Sequence, residues 1–308
     1  MAHPAHHPRA PHTHAHGQDH VHGQQAGHSH GTSSDPGADL AEVLDLDAEL
    51  FADHLTSVTG RLAAAAGEGV MHIVDLGAGT GTGTFALLAR FPAARVTAVD
   101  SSAEMLTRLM ATARAKGLAD RVRPLHTDAG AGLPGLADVD LVWASASLHH
   151  VDDPAAALTG VRAALRPGGL LAVAEMDGMP RFLPEDAVAD RPGLEIRCRA
   201  ALTALLAEQL PHLGADWGAL LTAAGFDVER EHTDELELRA PLPAGTGRYA
   251  HLVLSRLRDA LDGRVAPADL SALDTLLGGG LQDVRQREDL VVRSTRQTWV
   301  ARRPAARP

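Results

Sequence analysis

Apolar positions change period along the chain in a regular order. From residue 39 to 66, Leu40, Val43, Leu44, Leu50, Phe51, Leu55, Val58 and Leu62 recur at helical spacing, which predicts one or two helices. The run "MHIVDL" follows, short and closed by glycines, and reads as a buried strand. Phe85, Leu88 and Ala89 return to the helical period. "ARVTAVD" reads as a second strand, and Ser101 with Glu104 as the capping box of a helix carrying Met105, Leu109 and Ala113. "RVRPLHTD" and "VDLVWASAS" supply a third and a fourth strand. Asp153 as N-cap and Pro154 in the first turn open a helix that stops at Pro167, and "GGLLAVAEMD" is the fifth strand. Such alternation predicts an α/β fold with a parallel sheet covered by helices on both faces.

After Met176 the rhythm breaks. Residues 178–215 read as an insertion containing the helix "EIRCRAALTALLAEQL", and "WGALLTAAGFDVEREHTDELEL" as a helix ended by Gly225 and then a strand. Residues 240–288 form a second, largely helical insertion, and "DLVVRSTRQTWVARR" closes the pattern as a strand. The expected architecture is a Rossmann-like, doubly wound, mostly parallel seven-stranded sheet over residues 39–308, with residues 39–69 as N-terminal helices. Residues 1–38 differ from all of this. They are built from His, Pro, Gly, Ala, Ser and Gln, and such a segment cannot offset its ordering entropy by burial, so a disordered tail is expected. Alternating imidazoles such as His12, His14 and His16 can chelate Ni, Cu or Zn, but a floppy chain lacks the supporting groups of a built site. No metal site is therefore assigned.

Composition narrows the function. The apolar fraction of 45% permits a large core, and aromatics at 3% leave it to Leu, Val and Ala. A formal net charge of −11 without a long arginine run argues against nucleic acid as partner. Cys198 is the only cysteine, which excludes an intrachain disulfide and a cysteine zinc site. The sequence holds no apolar run of about 18 residues and no signal-peptide core at its start, so the expectation is a soluble, cytoplasmic protein without membrane contact.

The stretch "HIVDLGAGTGTGTF" carries the chemistry. A dinucleotide turn reads G-x-G-x-x-G, whereas Gly77, Gly79, Gly81 and Gly83 fall at every second position here. Asp75 ends the first strand, where it would repel a pyrophosphate but suit an amino group. Asp100 ends the second strand, where a carboxylate can accept both ribose hydroxyls. Asp128 follows the third, placed to accept from an exocyclic amine such as adenine N6. A ligand with an ammonium, a ribose and an adenine but no phosphate fits S-adenosylmethionine.

In order and spacing, "VDLGAGTG", "VTAVDSSAEML", "HTDAGAGLP", "DLVWASASLHHVDD" and "LRPGGLLAVAEMD" resemble the successive motifs of class I S-adenosylmethionine-dependent methyltransferases. "SLHHVDDP" is similar to the small-molecule branch that includes the ubiquinone and menaquinone methyltransferases. The resemblance covers residues 70–177 well and the last two strands adequately. It implies that Asp75, Gly77 and Gly79 line the methionine end of the cofactor and that Asp100 takes the ribose hydroxyls. Ser101 and Met105 would lie beside ribose and adenine, with Met105 as plain helix core the competing reading. Asp128 and the Ala129 backbone would read the adenine edge, and the Ala144 carbonyl would face the ammonium.

Methyl transfer needs an aligned nucleophile and exclusion of water, and an oxygen or nitrogen nucleophile often needs its proton removed. His149 and His150 follow the fourth strand on the ligand-binding rim and are the candidate bases. As neighbours their side chains should diverge, so that at most one faces substrate; otherwise one caps the loop on Asp152 or Asp153. Glu175 and Asp177 end the fifth strand on the same rim. Met179 and Phe182 offer an apolar wall, and the first insertion could lid the pocket. Leu252, Leu257 and Leu261 make either a packing stripe or a homodimer face. The expected activity is methyl transfer to a small-molecule acceptor, oxygen preferred over nitrogen or carbon. The alternatives are methylation of protein or RNA, and a non-catalytic cofactor-binding protein with a metal-handling tail.

Overall fold

Two helices, α1 (Pro36–Leu50) and α2 (Ala52–Ala66), precede the first strand, β1 (His72–Leu76). The computed structural model describes residues 36–305 apart from 132 and 134, so nearly all of the histidine-rich stretch lies outside the described residues. Next come α3 (Thr82–Arg90), β2 (Arg95–Asp100), α4 (Ala103–Ala115), β3 (Val122–His126) and β4 (Val139–Ser145). α5 (Pro154–Ala164) and β5 (Leu165–Met176) complete the alternating part. The remainder is α6 (Leu194–Gln209), α7 (Trp217–Ala223), β6 (Asp227–Leu238), α8 (Thr246–Ala260), α9 (Pro267–Leu277) and β7 (Val292–Arg302).

The seven strands form one sheet in the order β3-β2-β1-β4-β5-β7-β6. β1 to β5 run parallel, and β7 lies antiparallel to both β5 and β6. Alternate residues of each central strand serve opposite faces. On one face Ile73, Val96, Leu141 and Ala172 pack against Val58 and Leu62 of α2, Leu87 of α3 and Leu109 of α4. On the other, Val74, Val142 and Val173 meet Leu158 of α5 and Trp217 of α7. A third apolar cluster joins α1, α6, α8 and α9 to the start of β7. That cluster absorbs Leu252, Leu257 and Leu261, all buried, so these leucines are a packing stripe and present no dimer face.

Two local expectations shift. Ser102, not Ser101, caps α4: its Oγ accepts from the Met105 N–H at 3.2 Å, because Asp100 Oδ1 already fixes the Ser102 N–H at 2.8 Å. β5 starts at Leu165 and passes through Pro167. The pairing with β4 jumps from Val139–Leu165 to Leu141–Leu170, and the resulting bulge takes a proline that has no N–H for the ladder. No helix among the described residues is long and apolar enough to cross a membrane.

Candidate functional site

The chain leaves β1 toward β2 on one side, whereas β4 proceeds to β5 on the other. The carboxyl ends of β1 and β4 therefore face an uncovered crevice, where ligands of open α/β sheets bind. The glycine loop fills its floor. Gly77 has φ +75°, and a Cβ on it would lie 2.3 Å from Ser147 Cβ, so β4's exit loop closes on bare backbone. Gly83 serves differently: a Cβ there would come within 2.8 Å of Trp143 Nε1 and 3.3 Å of Asp75 Oδ2. It lets the first turn of α3 settle onto the sheet.

Asp75 is buried at the end of β1 and accepts from Thr84 Oγ1 at 2.5 Å. Burial pushes its carboxyl up to about 7 against the Thr84 bond, with Asp100 adding to the rise. Asp100 holds the loop itself, since Oδ2 accepts from the Gly79 N–H and Oδ1 from the Ser102 N–H, both at 2.8 Å. Each of its oxygens keeps a further lone pair.

A cavity of about 500 Å³ rises from this floor between the strand ends and helices α1, α2, α6 and α8. Into it a short helical turn, Leu148–His150, delivers both histidines. His149 Nδ1 lies 2.7 Å from Glu175 Oε2, both side chains buried, and Glu175 Oε1 has no partner among the described residues. The two imidazoles do not diverge. A turn this short keeps them together, with ring centroids 4.1 Å apart and both lining the cavity. Neither caps the loop; Asp153 instead takes the Ala156 N–H of α5. Burial, then the neighbouring His149, lower the pKa of His150. Asp177 is exposed and outside the cavity, while Glu175 and Met179 line it and Phe182 is core against Tyr249.

The roof is α1. Leu44 Cδ1 sits 3.3 Å from where a Gly79 Cβ would be, so the helix rests on the glycine loop. Asp47 Oδ1 accepts from Tyr249 Oη at 2.6 Å and from Arg296 Nη2 at 2.7 Å, and Arg296 also lies over the Phe51 ring at 4.2 Å. Glu42 takes Arg248 with both oxygens, at 2.8 and 2.6 Å. Burial and the nearby Arg296 lower the pKa of His54, which lines the same wall.

Of the sequence-derived candidates, Asp75, Gly77, Gly79, His149 and His150 meet in this cavity. Asp100 stands behind Gly79. Ser101 and Asp128 are exposed at the tips beyond β2 and β3, and Asp128 Oδ1 accepts from the Gly130 N–H at 2.7 Å, with Ala129 between them half-buried. Met105 is buried on α4. Ala144 is fully buried and paired with both Leu76 and Val173, and its neighbours Trp143, Ser145 and Ala146 line the cavity. Sequence reasoning did not single out Asp47, His54, Arg199, Tyr249 or Arg296. Nothing in period or motif marks them, because helices distant in the chain bring them together.

Residues 74–171 match the family described as a methyltransferase domain. The trans-aconitate 2-methyltransferase of Paracidovorax citrulli is 36% identical over 163 residues, 53% of this chain and 60% of that protein. The protein of the same name from Azoarcus sp. is 41% identical over 113 residues, 37% of this chain and 40% of its own length. The chain thus spans 60% or less of these relatives. A solved structure from Bacillus halodurans, a candidate methyltransferase, is 17% identical with a TM-score of 0.50, covers 81% of this chain and 100% of its own, and shares the fold.

Proposed function

We propose that this chain, whose residues 74–171 match a methyltransferase domain, is a class I S-adenosylmethionine-dependent methyltransferase that methylates a small molecule held in the roofed cavity. The observation that carries this reading is the His149–Glu175 pair, 2.7 Å between Nδ1 and Oε2, in the same cavity as the glycine loop and Asp75. The residues present suit the donor. Gly77 and Gly79 offer backbone where side chains would intrude, and the buried Asp75 carboxyl, poised near neutrality, is stabilised as an anion by a cationic ligand. Asp75, Gly77 and Gly79 would hold the methionine end, and the Ala144 carbonyl would face its ammonium. Asp100 would reach the ribose with its remaining lone pairs, Ser101 and Met105 would flank it, and Asp128 with the Ala129 backbone would read adenine. When bound, the donor supplies an electrophilic methyl group on a sulfonium.

The chain's own residues do the rest. Glu175 accepts the Nδ1–H of His149 and so turns Nε2 into the free base. Nε2 takes the proton of an acceptor hydroxyl, and Glu175 stabilises the imidazolium that results. Oxygen is thereby favoured as nucleophile over carbon or an already basic amine. His150, kept neutral by its lowered pKa, lines the cavity beside His149 and is the second candidate base. A nucleophile confined under α1 favours a small acceptor over a protein or RNA chain.

Incubating the protein with S-adenosylmethionine and phenolic, quinone, amine and carboxylate acceptors, trans-aconitate among them, and weighing the products tests the reading. Methylated hydroxyl acceptors are expected, with cofactor binding lost when Asp75 and Asp100 are substituted. Tight NAD uptake with indifference to S-adenosylhomocysteine would overturn it.

A further inference from the structure

The arginines around the cavity are not all paired. Three described arginines line it: Arg199, Arg256 and Arg296. Arg199 is neutralised by buried Glu195, with Nη2 to Oε1 at 2.9 Å, and the other Glu195 oxygen accepts the Phe182 and Leu183 N–H groups at 2.9 and 2.7 Å. Arg296 is neutralised by Asp47 at 2.7 Å. Arg256 is exposed where the cavity meets solvent and makes no hydrogen bond or ion pair with a described residue. Burial lowers the pKa of both His54 and His150, which disfavours a positive charge on either.

The rest of that wall is apolar. Leu202 and Leu206 share one face of α6, Leu210 follows just past its end, and all three are only half-buried, leaving hydrocarbon turned toward the cavity. Val253 and Leu257 of α8 continue it beside Arg256. An acceptor with several charges would have to shed its water against leucines with one uncompensated cation to meet it, which is costly.

We infer that the acceptor is a mostly apolar molecule bearing a single anionic group, its body against the α6 leucines and its charge at Arg256. The inference rests on the methyltransferase reading and assigns the substrate class of that site. A matched pair of probes tests it in protein loaded with S-adenosylhomocysteine, by titration calorimetry: 6-hydroxy-2-naphthoate and 2-naphthol, with citrate as a small tricarboxylate. The naphthoate is expected to bind more tightly than either of the others. Arg256→Gln should weaken the naphthoate about fivefold, the most that a pair open to solvent gives, and leave 2-naphthol unchanged. Leu206→Asp should weaken both, with uptake of S-adenosylhomocysteine retained as the check on folding. Citrate binding as tightly as the naphthoate, or Arg256→Gln without effect, overturns the inference. So does failure of both naphthyl probes in protein that still binds S-adenosylhomocysteine, and the methyltransferase reading then stands alone. Failure to bind S-adenosylhomocysteine brings down that reading as well.

Discussion

The two halves of the cavity are built from different materials. Its floor, at the ends of β1 and β4, is backbone: glycines, strand tips, and an Asp100 carboxylate that clamps Gly79 and Ser102 at 2.8 Å each. Its roof and outer wall, from α1, α6 and α8, are side chains held by ion pairs between residues far apart in the chain. A backbone floor can hold one ligand shape and tolerates little change. A side-chain wall can be rewritten residue by residue to suit another acceptor while the floor stays as it is.

The sharpest way to break this comparison is at the floor. Gly77→Val sets a Cβ 2.3 Å from Ser147 Cβ at a φ of +75°, and should abolish binding of S-adenosylhomocysteine by calorimetry. It should also cost more than about 2 kcal/mol of stability in denaturant. His149→Ala comes next. It should lower kcat roughly 10²- to 10⁴-fold while leaving that binding intact, which would separate chemistry from the cradle. Asp47→Asn tests the roof. It leaves Arg296 without its counter-ion and should cost about 1–3 kcal/mol in a denaturant titration, with a faster release of bound S-adenosylhomocysteine in stopped flow.

The smallest effect concerns pH. The Asp75 carboxyl is raised from 3.8 to about 7, so the folded protein holds a proton there that the unfolded chain releases. Its contribution to stability therefore falls as pH rises from the ordinary carboxylate range to about 7, and is level above that. Asp75→Asn should gain relative stability on the alkaline side while binding S-adenosylmethionine more weakly. In the unsubstituted protein, affinity for that cation should rise as pH climbs through about 7, read by calorimetry across neutrality.

The floor was legible in the sequence because its signals are local. Strand period, alternating glycines and carboxylates at strand ends all fall within short windows, and the seven-stranded, mostly parallel sheet follows from them. The error there is of one residue, Ser101 for Ser102 as the cap of α4, because the Asp100 side chain fixes the Ser102 N–H and so decides which serine faces the helix. The wall was not legible. His149 and Glu175 were both visible on the rim, yet their pairing across 26 positions was not. Asp47 finds Tyr249 and Arg296 at separations of 202 and 249 residues, which no window spans. For the same reason Leu252, Leu257 and Leu261 could be read as an outer face until α9 and β7 were seen to cover them.

The 3.3 Å clearance between Leu44 and the missing Cβ of Gly79 is less than a methyl group needs. Residue 44 therefore works as a shim that sets how closely α1 rests on the glycine loop. Trimming it to alanine would quicken exchange of spent donor for fresh without touching a single group that handles protons.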